Sequence, residues 1–199
     1  MTRQAAIAVA QRYFDEGGFF DDLARRVAVP STSQEPDRVD ALTAYLDDEM
    51  RASLEALGYD CEVFENPTGA GPIMIARRIE DTALPTVLTY GHGDTVRGQD
   101  ERWRDGIEPW RLVVEGERWY GRGTADNKGQ HSINIGALAS VIEARGALDF
   151  NSTILIETGE EMGSPGLREF CADHAGGLLV ADVFLSSDGP RLAPDRPTL

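Results

Sequence analysis

The chain has 199 residues, of which 19 are Lys or Arg and 34 are Asp or Glu, for a formal net charge of −15. At 41% hydrophobic and 27% charged residues, it has ordinary globular composition and enough apolar material for a sizeable core. The acidic excess argues against nucleic-acid and anionic-membrane partners, which draw on Lys and Arg clusters, and is compatible with a cation site. Two cysteines, Cys61 and Cys171, make no disulfide framework and point to a reducing, cytoplasmic setting. The opening MTRQAAIAVAQRYFDEGG is too polar for a signal peptide. No run approaches the roughly 18–20 apolar residues of a membrane span.

Apolar spacings of three and four predict helices over 3–16 (Ile7, Ala10, Phe14) and 19–28 (Phe20, Leu23, Val27), separated by Gly17-Gly18. A loop at Pro30–Thr32 precedes a longer helix from about Pro36 to Leu57. Its apolar side is Val39, Leu42, Tyr45, Leu46, Met50, Leu54 and Leu57, and Gly58 is its stop. The period then changes. Strands are expected at 59–65, 73–79 and 86–90, and a hairpin at 111–114 and 118–120 turning at Glu115–Glu117. A helix over 128–144, a strand at 153–157, a helix over 165–173 and a strand at 183–185 complete the pattern. Alternating strands and helices indicate an α/β sandwich around a largely buried mixed sheet. The tail GPRLAPDRPTL reads as a linker, the start of something longer.

Several common signatures are absent: no phosphate-binding loop, no H-E-x-x-H, no G-x-S-x-G and no C-x-x-C. Gly121-Arg122-Gly123 begins like a dinucleotide fingerprint, but Asp126 stands where the third glycine belongs, and the next glycine is Gly129.

The informative pattern is where acids and one histidine fall. They end predicted strands or open a helix, where α/β folds build their sites. In VLTYGHGDTV, His92 and Asp94 follow a buried-looking strand. Residues two apart in extended chain point the same way, so Asp94 is set to orient the ring while the other ring nitrogen meets a metal. The pair also fits a turn with a satisfied histidine. In WYGRGTADNKGQ, Asp126 sits where a glycine-rich loop meets a helix, and could bridge two cations or serve as the N-cap. In ILIETGEEMGSPG, the adjacent Glu160 and Glu161 could divide cation binding from general-base work, or be solvated loop acids. In VFLSSDGP, Asp188 ends a strand as a ligand or a turn former. Together the four clusters offer N and O donors without thiolate, which suits zinc, manganese or cobalt.

GHGDTV, GRGTADNKG, ETGEEMGSPG and SSDGP, in this order and spacing, resemble the di-zinc aminoacylase, carboxypeptidase and deacylase metallopeptidases. These are relatives of glutamate carboxypeptidase, carnosinase-type dipeptidase, acetylornithine deacetylase and succinyl-diaminopimelate desuccinylase. The resemblance covers about residues 20–198. It implies a three-layer sandwich with a mixed central β-sheet, a zinc-exopeptidase-like catalytic domain. It further implies two Zn2+ ions (Co2+ or Mn2+ as substitutes) and hydrolysis of an amide or peptide bond in a small peptide or N-acyl amino acid. His92 and Asp188 would then ligate the first metal, Asp126 would bridge both, and Glu161 would hold the second. Glu160 would be the general base, Asp94 would orient His92, and the Asp126–Asn127 peptide bond would be cis.

In that family a lid and dimerisation domain follows the SSDGP-like segment, and the returning chain supplies a late histidine to the second metal. The resemblance therefore implies that residues 1–190 are the N-terminal portion of a catalytic domain and that 191–199 open a linker to the lid. This chain would be a partial gene product, weak or inactive alone, with a homodimeric parent. His131 and His174 fall outside the matching positions and read as helix-surface or locally bonded histidines. Trp103 and Trp110 resemble a family loop beside the site, and equally fit a surface loop with anchoring tryptophans. A metal-dependent phosphoesterase and a non-catalytic homologue or binding module are the alternatives.

Overall fold

The computed structural model describes residues 2–189 and residue 193. The expected linker at 191–199 therefore lies, apart from Ala193, outside the described residues. Two helices open the chain, α1 (Arg3–Asp15) and α2 (Gly18–Ala28). The long helix expected next is a succession of pieces. A 3₁₀ turn at Pro36–Arg38 leads into α3 (Val39–Ala44), a π-helical stretch (Tyr45–Met50) and α4 (Arg51–Glu55). Leu42, Tyr45, Leu46, Met50 and Leu54 are buried as the apolar pattern requires, but Val39 is half exposed. Ile7 and Phe14 of α1 are also exposed. The Phe14 ring stacks on Trp119 at 5.8 Å instead of entering a core.

The strands are β1 (Asp60–Phe64), β2 (Ile73–Arg78), β3 (Thr86–His92), β4 (Val113–Glu115), β5 (Arg118–Tyr120), β6 (Asn151–Glu157) and β7 (Val183–Ser186). The remaining helices are α5 (Lys128–Arg145) and α6 (Leu167–His174). A five-stranded sheet runs β1-β2-β6-β3-β7, and β4-β5 form a separate hairpin. β1 and β2, and β2 and β6, pair antiparallel; β6 and β3, and β3 and β7, pair parallel. The sheet is mixed, as expected. β3 runs to His92, two residues beyond the sequence expectation, because β6 pairs along its whole length and sets His92 opposite Glu157.

Alternation along the strands builds a core on each face. Met74, Ala76, Ile154 and Ile156 meet Tyr45, Leu46, Met50, Leu54 and Ile135 on one side. Ile73, Ile75 and Leu155 meet Phe170 of α6 on the other, which gives three layers. Leu23 and Val27 of α2 pack with Leu112 and Trp119 and anchor the hairpin region.

Ile156 is fully buried in β6 between β2 and β3. Ile156→Ala should cost about 2–5 kcal/mol through lost burial and the cavity left behind. A lower urea midpoint at unchanged m-value would register it.

Candidate metal centre

β6, β3 and β7 are adjacent and parallel, so their C-terminal ends share one edge of the sheet, and α5 begins beside it. His92, the last residue of β3, is fully buried. Its Nδ1 lies 3.0 Å from the Asp94 carbonyl oxygen and 3.2 Å from Asp94 Oδ1. Its Nε2 faces Asp126 Oδ1 at 2.9 Å, Glu160 Oε2 at 3.8 Å and Asp188 Oδ2 at 3.9 Å. An Nδ1–H donated to Asp94 leaves Nε2 as the ligand nitrogen, the arrangement common to metal-bound histidine.

Asp94 does more than hold the ring. Its Oδ1 accepts from the Glu160 N–H at 3.2 Å and its Oδ2 from the Glu161 N–H at 3.1 Å. One buried carboxylate thus couples the end of β3 to the 3₁₀ turn Glu160–Met162 that carries both glutamates.

Asp126 reaches the site through a loop folded tightly against the first turn of α5. The Gly129 N–H donates to the Gly123 carbonyl at 3.1 Å, and a Cβ on Gly129 would lie 1.9 Å from the Thr124 carbonyl oxygen. Gly129 therefore serves close backbone approach, unrelated to any dinucleotide fingerprint. The N-cap of α5 is Asn127, not Asp126. The Asp126 side chain instead turns toward His92, and the Asp126–Asn127 peptide bond is cis.

The arrangement concentrates like charge. Among the described residues, Asp126, Glu160, Glu161 and Asp188 form no ion pair with Lys or Arg; His92 is the cationic partner of Asp126, Glu160 and Asp188. Lys128, close in sequence, is turned away and buried, its Nζ donating to the Arg26 and Val29 carbonyls at 2.8 and 2.7 Å. Burial raises Glu160 above the usual carboxylate range; Asp188, Asp94 and Asp126 add to this and His92 opposes it. Burial and Asp126 likewise raise Glu161. Burial alone would depress His92, but the hydrogen bond and charge of Asp94, with Asp188 and Asp126, push it up to about 9.

Two triads have donor atoms all within 4.8 Å of one another: His92, Asp126 and Asp188, and His92, Glu160 and Glu161. Carboxylates gathered without neutralising Lys or Arg, around an imidazole whose far nitrogen is already held, fit divalent cations with N/O preference. All six residues singled out in the sequence thus converge on one edge.

Sequence reasoning missed the structural role of Asn127, and of the two readings offered for His131 the locally bonded one holds. Asn127 is buried, and its Oδ1 accepts from the His92 backbone N–H at 3.2 Å. His131 is buried, not on the helix surface: its Nδ1 lies 3.2 Å from Asn127 Oδ1 and its Nε2 2.6 Å from the Tyr45 hydroxyl. The available signal was its i+4 spacing from Asn127. His174 packs on Phe64 and Phe170. Trp103 anchors its loop by donating to the Gly98 carbonyl at 2.8 Å.

Fold and site together define an α/β protein with a candidate two-metal centre at the strand ends. The chain matches the model of peptidase family M20/M25/M40 over residues 88–195, and it belongs to that family. It is 34% identical to a cysteinylglycine-S-conjugate dipeptidase of Corynebacterium striatum over 75% of this chain and 32% of that protein. It is 30% identical to the Cys-Gly metallodipeptidase DUG1 of Candida albicans over 91% of this chain and 40% of that one. Human carnosine dipeptidase 1 superimposes with a TM-score of 0.81 at 26% identity, covering 92% of this chain and 41% of that structure. The chain therefore spans less than half the length of these relatives.

A metal must displace the His92 proton, so zinc affinity should fall as pH drops below about 9, by up to roughly tenfold per unit for one proton. Competition with a chelating dye between pH 6 and 8 reads this, and a flat profile would contradict it. Asp94→Ala, which strands the imidazole and two amides, should weaken zinc binding by about 10–100-fold in the same assay.

Proposed function

We propose that this chain carries most of the chemistry of a zinc-dependent metallopeptidase or amidohydrolase that cleaves the amide bond of a small peptide or N-acyl amino acid. The observation that carries the reading is the meeting of His92, Asp126, Glu160, Glu161 and Asp188 from four separate segments. In this reading His92, Asp126 and Asp188 hold a first Zn2+, and Asp126 and Glu161 contribute to a second. When bound, the metals supply Lewis acidity toward the scissile carbonyl and lower the pKa of water. Glu160 takes the proton of the attacking water and returns it to the leaving amine, a role that its raised pKa and partial exposure favour. Asp94 keeps His92 in the ligating tautomer.

The dipeptidase names of the relatives support a dipeptide over an acylated amino acid. The same reading takes residues 1–190 as the N-terminal portion of the catalytic domain and 191–199 as the start of a linker. A lid, a homodimer contact through it and a further metal-binding histidine would belong to additional residues, as the 32–41% coverage of relatives supports. No helix among the described residues is long and apolar enough to cross a membrane. Free Cys61 and Cys171 support a cytoplasmic setting.

With zinc supplied, a screen should find cleavage of dipeptides ahead of N-acetyl and N-succinyl amino acids. Hydrolysis of phosphate esters alone would select the phosphoesterase reading instead. Glu160→Gln should retain metal and lose about 10²–10⁴-fold in rate, whereas Asp126→Ala should lose metal. Full activity in the Glu160 variant would overturn the assignment.

A further inference from the structure

Asp188 is the least supported of the candidate ligands. Every residue of β7 is exposed, and its pairing with β3 stops at Ser186 opposite Tyr90, before Asp188 is reached. What holds the following segment is a row of carboxamides on α5 and its N-cap residue. Asn127 Nδ2 donates to the Ser187 carbonyl at 2.9 Å and to Gln130 Oε1 at 2.6 Å. Gln130 Nε2 donates in turn to the Gly189 carbonyl at 3.2 Å. Asn134 Nδ2 donates to Ser187 Oγ at 2.9 Å, and that hydroxyl donates back to Asn134 Oδ1 at 3.3 Å. Positions 127, 130 and 134 follow the three–four spacing of one helix face, so the row is a property of α5 as a unit.

We infer that Asn127, Gln130 and Asn134 form a carboxamide clamp that positions Asp188 for metal by gripping the residues on either side of it. The inference rests on the metal-centre reading above. Asn127 has a second grip, on the His92 N–H, so the clamp sets the spacing between the ends of β3 and β7. Among the described residues Gln130 and Asn134 hydrogen-bond to no candidate ligand directly, which makes them the informative positions. Because they act through Asp188, they are positioning residues: their loss should alter the triad of His92, Asp126 and Asp188 and leave Glu160 and Glu161 in place.

The test is the double variant Gln130→Leu/Asn134→Leu, with Asn127 kept. Leucine has about the helix propensity of glutamine and more than that of asparagine, so α5 is not weakened by the change itself. Zinc affinity, read by chelator competition, should drop about 10–100-fold, the range for removing groups that orient metal ligands. The visible absorption of the Co2+-loaded protein should move toward that of Asp188→Ala. Ser187→Ala, which removes the Asn134 partner without touching the helix, should show a smaller loss in the same direction, and it decides the matter if the double variant does not fold. Wild-type affinity and an unchanged Co2+ spectrum, even with a shifted urea midpoint, would overturn the clamp and leave the metal centre standing. Failure of the unaltered chain to bind zinc or cobalt would overturn both.

Discussion

The structure depends on an electrostatic imbalance at one edge of the sheet: carboxylates crowd the Nε2 nitrogen of a single buried imidazole, with no Lys or Arg of the described residues paired to them. Gathering like charges in this way is unfavourable unless something positive joins them; Glu160 and Glu161, raised first by burial, are raised further by the neighbouring carboxylates. The sheet makes the gathering unavoidable. Parallel pairing of β6, β3 and β7 delivers three chain segments to the same edge, and the glycine-packed loop ahead of α5 delivers the fourth.

Behind this edge the fold supplies rigidity in layers. The apolar cores on the two faces of the sheet hold β6 and β3 in place. Asp94, fully buried, satisfies one ring nitrogen and two backbone amides at once, so the histidine and the glutamate-bearing turn cannot move independently. Lys128 is the cation nearest in sequence, yet two backbone carbonyls and the face of Tyr45 hold its ammonium away from the acids. The acids at the strand ends are thereby left without this lysine as a partner.

Adjacent glutamates can then take different parts. Glu160 and Glu161 stand consecutively in a 3₁₀ turn, where successive side chains diverge by about a third of a revolution. Their backbone amides are nonetheless fixed by opposite oxygens of the same aspartate. Common anchoring with divergent projection suits one residue to ligation and its neighbour to proton transfer.

Local pattern by itself determined the alternation of strands and helices, the mixed sandwich, and the set of candidate N and O donors. His92, Asp94, Asp126, Glu160, Glu161 and Asp188 stand out because strand ends and glycine-rich turns carry unusual acids. Those signals are legible because periodicity and turn chemistry act over a few residues. Whether Asp126 caps a helix or faces a histidine 34 positions away is a long-range matter, and only the packing of the 121–127 loop on α5 decided it. The same holds for the burial of His131 between Asn127 and Tyr45, the π-helical break in the third helical segment, and the exposure of Ile7, Phe14 and Val39. An apolar or polar residue carries no label for the partner it will meet. That partner is set by which strands lie side by side, and adjacency in the sheet is written in no single stretch of chain.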